Sequence, residues 1–267
     1  MISGLAIIQP GARLGRNVTV APFAIVEDSV TIGDDCTIES HVVLRAGTEI
    51  GAGGRVGVGV VIGERPMDTA YQGEPTGVRI GRNNDIREYV TIHRSTGTGT
   101  QTIIGDDNLI MPYVHIAHNC RIGSSVTITN SCQLAGHVQV EDQAVLGGMT
   151  GIHQFTRVGA CAMVGACSYL AKDLPPFLIG AGIPFRVRGI NRVGLVRAGF
   201  QSGQLGILRA VYRIVYRSGR NLSSALDELE HRFPDSAEVR RFVAFARASK
   251  RGIQLRDPGE LAHPGSA

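Results

Sequence analysis

Aliphatic residues recur at every sixth position along most of the chain. Between residues 8 and 170, 25 of the 28 positions in this register are Ile, Leu or Val. The position two residues earlier carries a small side chain in most repeats. A period of six differs from the 3.6 of a helix and the 2 of an isolated strand, and it is the hexapeptide signature of a parallel β-helix. The pattern therefore predicts an all-β prism with a narrow aliphatic core.

A second period of 18 residues lies within the first. Glycines mark one phase of it: Gly15, Gly33, Gly51, Gly105, Gly123 and Gly159. We expect glycine there because a tight corner requires either a positive φ or a close approach of two backbones. Three hexapeptides then form one coil, and residues 18 apart become stacked neighbours in strands about 4.8 Å apart.

Two stretches interrupt the register. The first, at about residues 64–77, contains the polar exceptions Asp68 and Glu74, and we expect an external loop that replaces one coil. The second is centred on Thr98 and predicts a shorter excursion. Loops that project from a rigid scaffold are natural places for substrate contacts.

Helical spacing replaces the hexapeptide in the C-terminal third. We expect a β-helix over residues 1–185, a small α-helical domain over 186–256 and a frayed tail over 257–267. Three apolar faces repeat at helical spacing from about residue 205. Asn221 and Asp235 are the predicted N-caps of two of these helices.

The charge is unevenly distributed. The whole chain of 267 residues carries a net charge of +4, yet residues 186–256 alone carry +10. Such an excess could attract an acidic protein, a nucleotide phosphate or nucleic acid, or form only a solvated surface. Scarce aromatic residues and the lack of a recognisable motif disfavour nucleic acid. No apolar stretch predicts a membrane span and no secretory signal is apparent, so we expect a cytoplasmic protein with reduced cysteines.

Histidines carry the chemical signal. His118 stacks on Gly136 one coil later, and His137 and His153 fall beside the same stack. An outward-facing neutral imidazole is a competent general base, and a glycine N–H beside it could stabilise an oxyanion. This combination predicts acyl transfer to a hydroxyl. Cys120 and Cys132 occupy the small inward position, so we interpret them as inert core filling rather than nucleophiles.

Zinc binding is an alternative use of the histidines. His93, His115 and His118 are the nominal ligands, as at the subunit edges of prism-shaped carbonic anhydrases. Because His93 and His115 do not stack on His118 at the coil period, the spacing disfavours a metal, and we predict none.

Several motifs together resemble a known family. They are Gly73-Glu74-Pro75-Thr76, Ile86 through Arg94, His115-Ile116-Ala117-His118-Asn119-Cys120, Leu134-Ala135-Gly136-His137, Gly147-Gly148-Met149-Thr150 and His153-Gln154-Phe155. From about residue 5 to 256 the chain resembles the UDP-N-acetylglucosamine O-acyltransferases that begin lipid A synthesis. The resemblance implies a left-handed β-helix, a C-terminal helical domain and a homotrimer with active sites between subunits.

The resemblance also implies a reaction and its residues. An acyl carrier protein presents a 3-hydroxyacyl thioester to the 3-hydroxyl of UDP-N-acetylglucosamine, and no cofactor is needed. His118 corresponds to the general base, the Gly136 N–H to the oxyanion donor, and His137 and Asp68 to groups that position the sugar. The remaining acceptor, nucleotide and acyl contacts correspond to His115, His153, Gln154, Asn191 and Arg197. The acidic carrier protein is then a partner for the basic helices.

Five positions depart from the family pattern. Asn119 replaces an Asp that is common after the histidine, and Ala70, Val193 and Ala198 replace a lysine, a glutamate and an arginine. Ala166, which follows Met163-Val164-Gly165, replaces a glycine at the floor of the acyl groove and predicts a shorter chain. An acceptor with a 3-amino group, or another hexapeptide acyltransferase such as the later lipid A N-acyltransferase, remains an alternative.

Overall fold

The computed structural model describes residues 1–255. These residues form short β-strands followed by four α-helices. The first strands are β1 (Ile7–Ile8), β2 (Arg13–Leu14), β3 (Thr19–Val20), β4 (Ile25–Val26), β5 (Thr31–Ile32), β6 (Thr37–Ile38), β7 (Val43–Leu44), β8 (Thr48–Ile50), β9 (Arg55–Val56) and β10 (Val61–Glu64). The next are β11 (Gly77–Ile80), β12 (Asp85–Ile86), β13 (Thr91–His93), β14 (Gln101–Ile104), β15 (Leu109–Ile110), β16 (His115–Ile116), β17 (Arg121–Ile122), β18 (Thr127–Ile128) and β19 (Gln133–Leu134). The last are β20 (Gln139–Val140), β21 (Val145–Leu146), β22 (Gly151–Ile152), β23 (Arg157–Val158), β24 (Met163–Val164), β25 (Tyr169–Leu170), β26 (Leu178–Ala181) and β27 (Arg186–Ile190).

Three parallel sheets form the sides of a left-handed β-helix. Consecutive strands lie on consecutive sides, so each side receives every third strand. One sheet runs from β1 through β16, β19 and β22 to β25, a second from β2 to β23, and a third from β3 to β26. β27 adds an antiparallel edge to the third sheet.

The core is the aliphatic register that the sequence predicts. Ile92, Ile116 and Leu134 follow one another at the same height in β13, β16 and β19, and all three are buried. The small inward positions, including Cys120 and Cys132, are also buried. An aliphatic stack of this kind gains stability roughly in proportion to the apolar area removed from water, about 25 cal/mol per Å².

The glycines that recur with the 18-residue period allow two backbones to approach closely, and their own φ angles are not positive. A Cβ added to Gly33 would lie 2.6 Å from the backbone N of Ala52 in the next coil. Positive φ occurs two residues later, at Asn17, Asp35 and Gly53. Asn and Asp tolerate the left-handed region better than most residues, so the corner does not require glycine at that point. Of the two expected reasons for glycine, steric closeness is therefore the correct one.

The external loop is an insertion at a corner, and the expectation that it replaces one coil is wrong. β10 and β11 belong to consecutive sides of the prism, and Ile62 pairs with Ile92, thirty residues later. Since a plain corner already joins consecutive sides after six residues, the longer loop projects outward while the inner register continues. The excursion around Thr98 likewise lies between consecutive sides, formed by β13 and β14.

The helices cover one end of the prism. They are α1 (Arg192–Arg197), α2 (Ser202–Arg217), α3 (Leu222–Arg232) and α4 (Ala237–Arg247). Residues 186–190, assigned by the sequence to the helical domain, instead form β27, because they pair with β26 across a short turn. Asn221 caps α3 as predicted, but Ser236 rather than Asp235 caps α4. The predicted tail, 257–267, lies outside the described residues.

Residues 1–255 contain no helix that is long and apolar enough to cross a lipid bilayer. The longest of the described helices, α2, has 16 residues.

The close backbone contact predicts a specific sensitivity to added methyl groups. Gly33→Ala should lower the free energy of unfolding by about 1 to 3 kcal/mol, because the atoms that its Cβ meets belong to a backbone held on both sides. Gly206→Ala is the matched control: nothing lies within 4 Å of its Cβ position in α2. There the same change should stabilise the protein by about 0.5 to 1 kcal/mol. Denaturant unfolding of both variants measures the difference, and equal effects would contradict the steric explanation.

Candidate active site

Successive coils bring three predicted residues together at one corner. His118 lies in the turn after β16, and Gly136 and His137 lie in the turn after β19. A Cβ added to Gly136 would be 2.6 Å from both Cε1 and Nε2 of His118. The rings of His118 and His137 meet edge to face with centroids 5.3 Å apart. The imidazole therefore lies directly over Gly136, where the Cβ of any other residue would clash with the ring.

Asn119 fixes the hydrogen on the His118 ring. Its Oδ1 accepts from the N–H of Thr96 at 2.9 Å, and its Nδ2 donates to the carbonyl of Thr96 at 3.0 Å. The amide orientation is thus set by a peptide group. Because the same Oδ1 lies 2.8 Å from Nδ1 of His118, that nitrogen must be the donor. The lone pair is left on Nε2, the nitrogen beside Gly136.

The external loop places a carboxylate at the same ring. Oδ2 of Asp68 is 3.9 Å from Nδ1 of His118, and its Oδ1 accepts from the N–H of Ala70 at 3.0 Å. That hydrogen bond is the main reason why the pKa of Asp68 is lowered. Glu74 ties the two excursions together, since its carboxylate accepts from the N–H of Gly97 at 2.7 Å.

Gly136 offers a free backbone donor. Its carbonyl accepts from the N–H of Phe155, whereas none of the hydrogen bonds among residues 1–255 uses the N–H of Gly136. An unpaired N–H beside a basic nitrogen is the geometry needed to stabilise a developing oxyanion.

Two further histidines pack near this corner as a neutral pair. His93 and His115 contact each other edge to face with centroids 5.1 Å apart. Burial lowers the pKa of both, that of His115 to about 4, so neither carries a charge near neutral pH. Nδ1 of His115 pairs with the hydroxyl of Thr91 at 2.8 Å. Within the described part of the chain, no group of three His, Cys, Asp or Glu side chains could hold a metal ion.

A groove of about 520 Å³ extends from His118 along the outer face of β16, β19, β22 and β25. His115, His153 and Gln154 line it, as does Gly136. The loop residue Met67 also lines it. The sequence analysis missed Gln133, Gly151 and Tyr169, which lie under His115 at successive steps of 18 residues. Coil arithmetic applied to His115 would have found all three.

Four predicted residues do not reach this groove within one chain. Asn191 is buried and caps α1: its Oδ1 accepts from Gly194 and its Nδ2 donates to the carbonyl of Cys161. Arg197 is exposed at the end of the same short helix. Met163 belongs to β24 on another side of the prism, and the exposed Ala166 follows it. Their assignments remain predictions.

The inward cysteines lack the environment of a nucleophile. Cys120 and Cys132 are fully buried, and burial raises the pKa of Cys120 to about 12. The pKa of Cys132 is raised for the same reason. A thiol in such surroundings stays protonated and unreactive at neutral pH.

Comparison with known proteins identifies the family. The family model described as "Udp N-acetylglucosamine O-acyltransferase; Domain 2" matches residues 173–254, and the bacterial transferase hexapeptide model matches residues 101–136. The acyl-[acyl-carrier-protein]–UDP-N-acetylglucosamine O-acyltransferase of Thermodesulfovibrio yellowstonii is 46% identical over 93% of this chain and 96% of its own length. The chain belongs to this family.

Solved structures agree over nearly the whole chain. The crystal structure of a UDP-N-acetylglucosamine acyltransferase from Bacteroides fragilis is 40% identical, with a TM-score of 0.93 over 95% of this chain and 100% of that one. The Francisella novicida enzyme is 36% identical, with a TM-score of 0.94 over 98% and 96% of the two chains. Family membership therefore extends to both the prism and the helices.

Proposed function

We propose that this protein transfers a 3-hydroxyacyl chain from acyl carrier protein to the 3-position of UDP-N-acetylglucosamine. The observation that supports it is that Nε2 of His118, the ring nitrogen with the free lone pair, lies beside Gly136, whose N–H has no hydrogen-bond partner among residues 1–255, at the end of a groove. Membership of the acyltransferase family supplies the substrates.

The geometry suits a single addition and elimination. His118 Nε2 removes the proton of the sugar hydroxyl while its oxygen attacks the thioester carbonyl. The negative charge that develops on the carbonyl oxygen is stabilised by the Gly136 N–H. When the intermediate collapses, the C–S bond breaks, and the proton held by His118 passes to the sulfur of the carrier's thiol. Acyl group, proton and electrons balance without any cofactor.

We further propose that the complete site lies between subunits of a homotrimer. In one chain, His115, His153 and Gln154 line the groove, and Asp68 and His137 lie against the base. Asn191, Arg197, Met163 and Ala166 lie on other elements. A neighbouring copy would have to present the exposed members of this second group to the groove, Arg197 and Ala166 among them. The five cysteines are all free, which agrees with the reducing cytoplasm as the place of the reaction.

Removal of the base tests the proposed reaction. His118→Ala should lower kcat by at least about a hundredfold, the usual scale for loss of a general base. His231→Ala, an exposed histidine in the last turn of α3, is the matched control and should keep normal activity. The assay offers UDP-N-acetylglucosamine and its 3-amino analogue against the same acyl carrier protein. Near-normal turnover by pure His118→Ala would contradict the assignment, and preference for the analogue would identify an amino acceptor.

Two unpaired arginines on α2 should attract the acidic carrier protein. Arg220, Arg241 and Arg247 already form ion pairs, whereas Arg209 and Arg213 have none within residues 1–255. Arg209→Glu combined with Arg213→Glu should raise KM for the carrier about tenfold at low salt, and less at 0.1 M salt or above, because screening weakens steering.

The sugar nucleotide provides the internal control for this pair, since its KM should not move. Arg13→Glu combined with Arg79→Glu reverses two exposed arginines of β2 and β11, far along the chain from the helices. An equal effect of both pairs on the carrier KM would show that only the overall charge matters.

Ala166 should limit the length of the acyl chain. With its methyl group facing the groove of a neighbouring copy, each methylene denied burial costs about 0.8 kcal/mol, and the strain of forcing it against a filled wall adds to that cost, so preference between neighbouring lengths approaches tenfold. Ala166→Gly should shift the preference to longer chains on a series of acyl carriers. Ala52→Gly, which also follows a glycine but lies in an early coil, should change nothing. Identical profiles for wild type and Ala166→Gly would place the limit elsewhere.

A further inference from the structure

The ring of His118 has two different partners at one nitrogen. Asn119 Oδ1 lies 2.8 Å from Nδ1 and accepts its hydrogen, whereas Oδ2 of Asp68 lies 3.9 Å away, beyond hydrogen-bond reach. An amide oxygen can orient an imidazole, but it carries no charge with which to stabilise an imidazolium. A carboxylate at this separation interacts with the ring mainly through its charge.

We propose that Asp68 is the charged partner of His118, while Asn119 only fixes the orientation and tautomer of the ring. In this division of roles, Asp68 stabilises the imidazolium that forms when His118 accepts the proton of the acceptor hydroxyl. The inference rests on the proposed function, in which His118 is the general base. It differs from the sugar-positioning role that the family resemblance implies for Asp68.

The three histidines around the His118 ring are neutral, whereas Asp68 beside it is charged. His137 in the next coil and His93 and His115 on β13 and β16 interact with His118 electrostatically. Burial lowers the pKa of all three, so they are neutral near pH 7. The hydrogen bond from Ala70 lowers the pKa of Asp68, which is therefore ionised. The second excursion contributes the backbone of Thr96, which holds Asn119, and the Thr96 side chain, which helps to lower the pKa of Asp68.

The two partners are held in a fixed relation. Asp68 is oriented by the N–H of Ala70 in its own loop, and Glu74 joins that loop to Gly97. The adjacent Thr96 clamps the amide of Asn119. Both excursions from the prism therefore act on Nδ1 of His118, one through the Asn119 amide that it clamps and the other through the charge of Asp68.

Asp68→Asn tests the charge while it keeps the Oδ1 acceptor for Ala70. Without the carboxylate, His118 should lose its proton at lower pH, so the acidic limb of the kcat profile should move down by about one pH unit. The plateau of kcat should fall about tenfold because the imidazolium is less stabilised in the transition state. KM for the sugar nucleotide should change less than kcat.

Two variants of the same loop serve as controls. Asp68→Glu keeps the negative charge, so the acidic limb of its kcat profile should lie close to that of the wild type. Glu74→Gln removes one negative charge from the same loop; it keeps the Oε1 acceptor for Gly97 and loses only the acceptor for the N–H of Gln72, so the acidic limb should stay in place. A shift of equal size in Glu74→Gln would mean that the net charge of the loop matters rather than the position of Asp68, and would overturn the proposal.

NMR separates this inference from the proposed function because it needs no substrate. In protein with ¹³C-labelled histidine rings, the His118 signal is identified by its absence in His118→Ala. Its titration midpoint should fall by about one pH unit in Asp68→Asn and stay in place in Glu74→Gln. If acyl transfer proves wrong, this shift should still occur. An unmoved midpoint together with a raised KM for the sugar nucleotide would overturn the proposal and leave Asp68 as a sugar contact.

Discussion

The whole structure depends on backbone contact between successive coils. Most strands have only two residues, so none could persist without the strands above and below it. At the corners the chain passes so close to the next coil that a single methyl group on Gly33 would overlap it. This closeness keeps the coils in register, and the register places His118 over Gly136. The close contact between His118 and Gly136 is thus a direct result of how tightly the coils stack.

The inner half of the fold is predictable because burial imposes it on every repeat. An aliphatic residue at each sixth position leaves a regular trace in the sequence, and Ile92, Ile116 and Leu134 lie as that trace predicts. The corners are harder, since positive φ at Asn17 or Asp35 depends on local backbone geometry and not on one residue type. The loop at 64–77 misled the coil count because residue 80 falls in the same hexapeptide phase whether the loop replaces a coil or projects from it.

The contacts of the candidate site are likewise only partly predictable from the sequence. The contact of His118 with Gly136 follows from a step of one coil, so the sequence could predict it. The clamp between Asn119 and Thr96 could not be predicted, because it depends on the conformation of an irregular excursion. The place of Asn191 could not be predicted either: its Oδ1 caps α1, while its Nδ2 donates to the carbonyl of Cys161, thirty residues away on the prism. The prism thus supplies the proposed base and oxyanion donor, and the loops supply the groups that contact the proposed base.

The coils also set distances along the prism axis in steps of fixed size. Each additional coil advances the chain along that axis by the distance between adjacent strands, about 4.8 Å. The number of coils between the proposed active-site corner after β16 and the helices that follow β27 therefore sets their separation along the prism axis. A descendant with one coil more or fewer between them would keep every side of the prism facing the same way. It would carry the basic helices one fixed increment farther from, or closer to, an otherwise unchanged pair of His118 and Gly136.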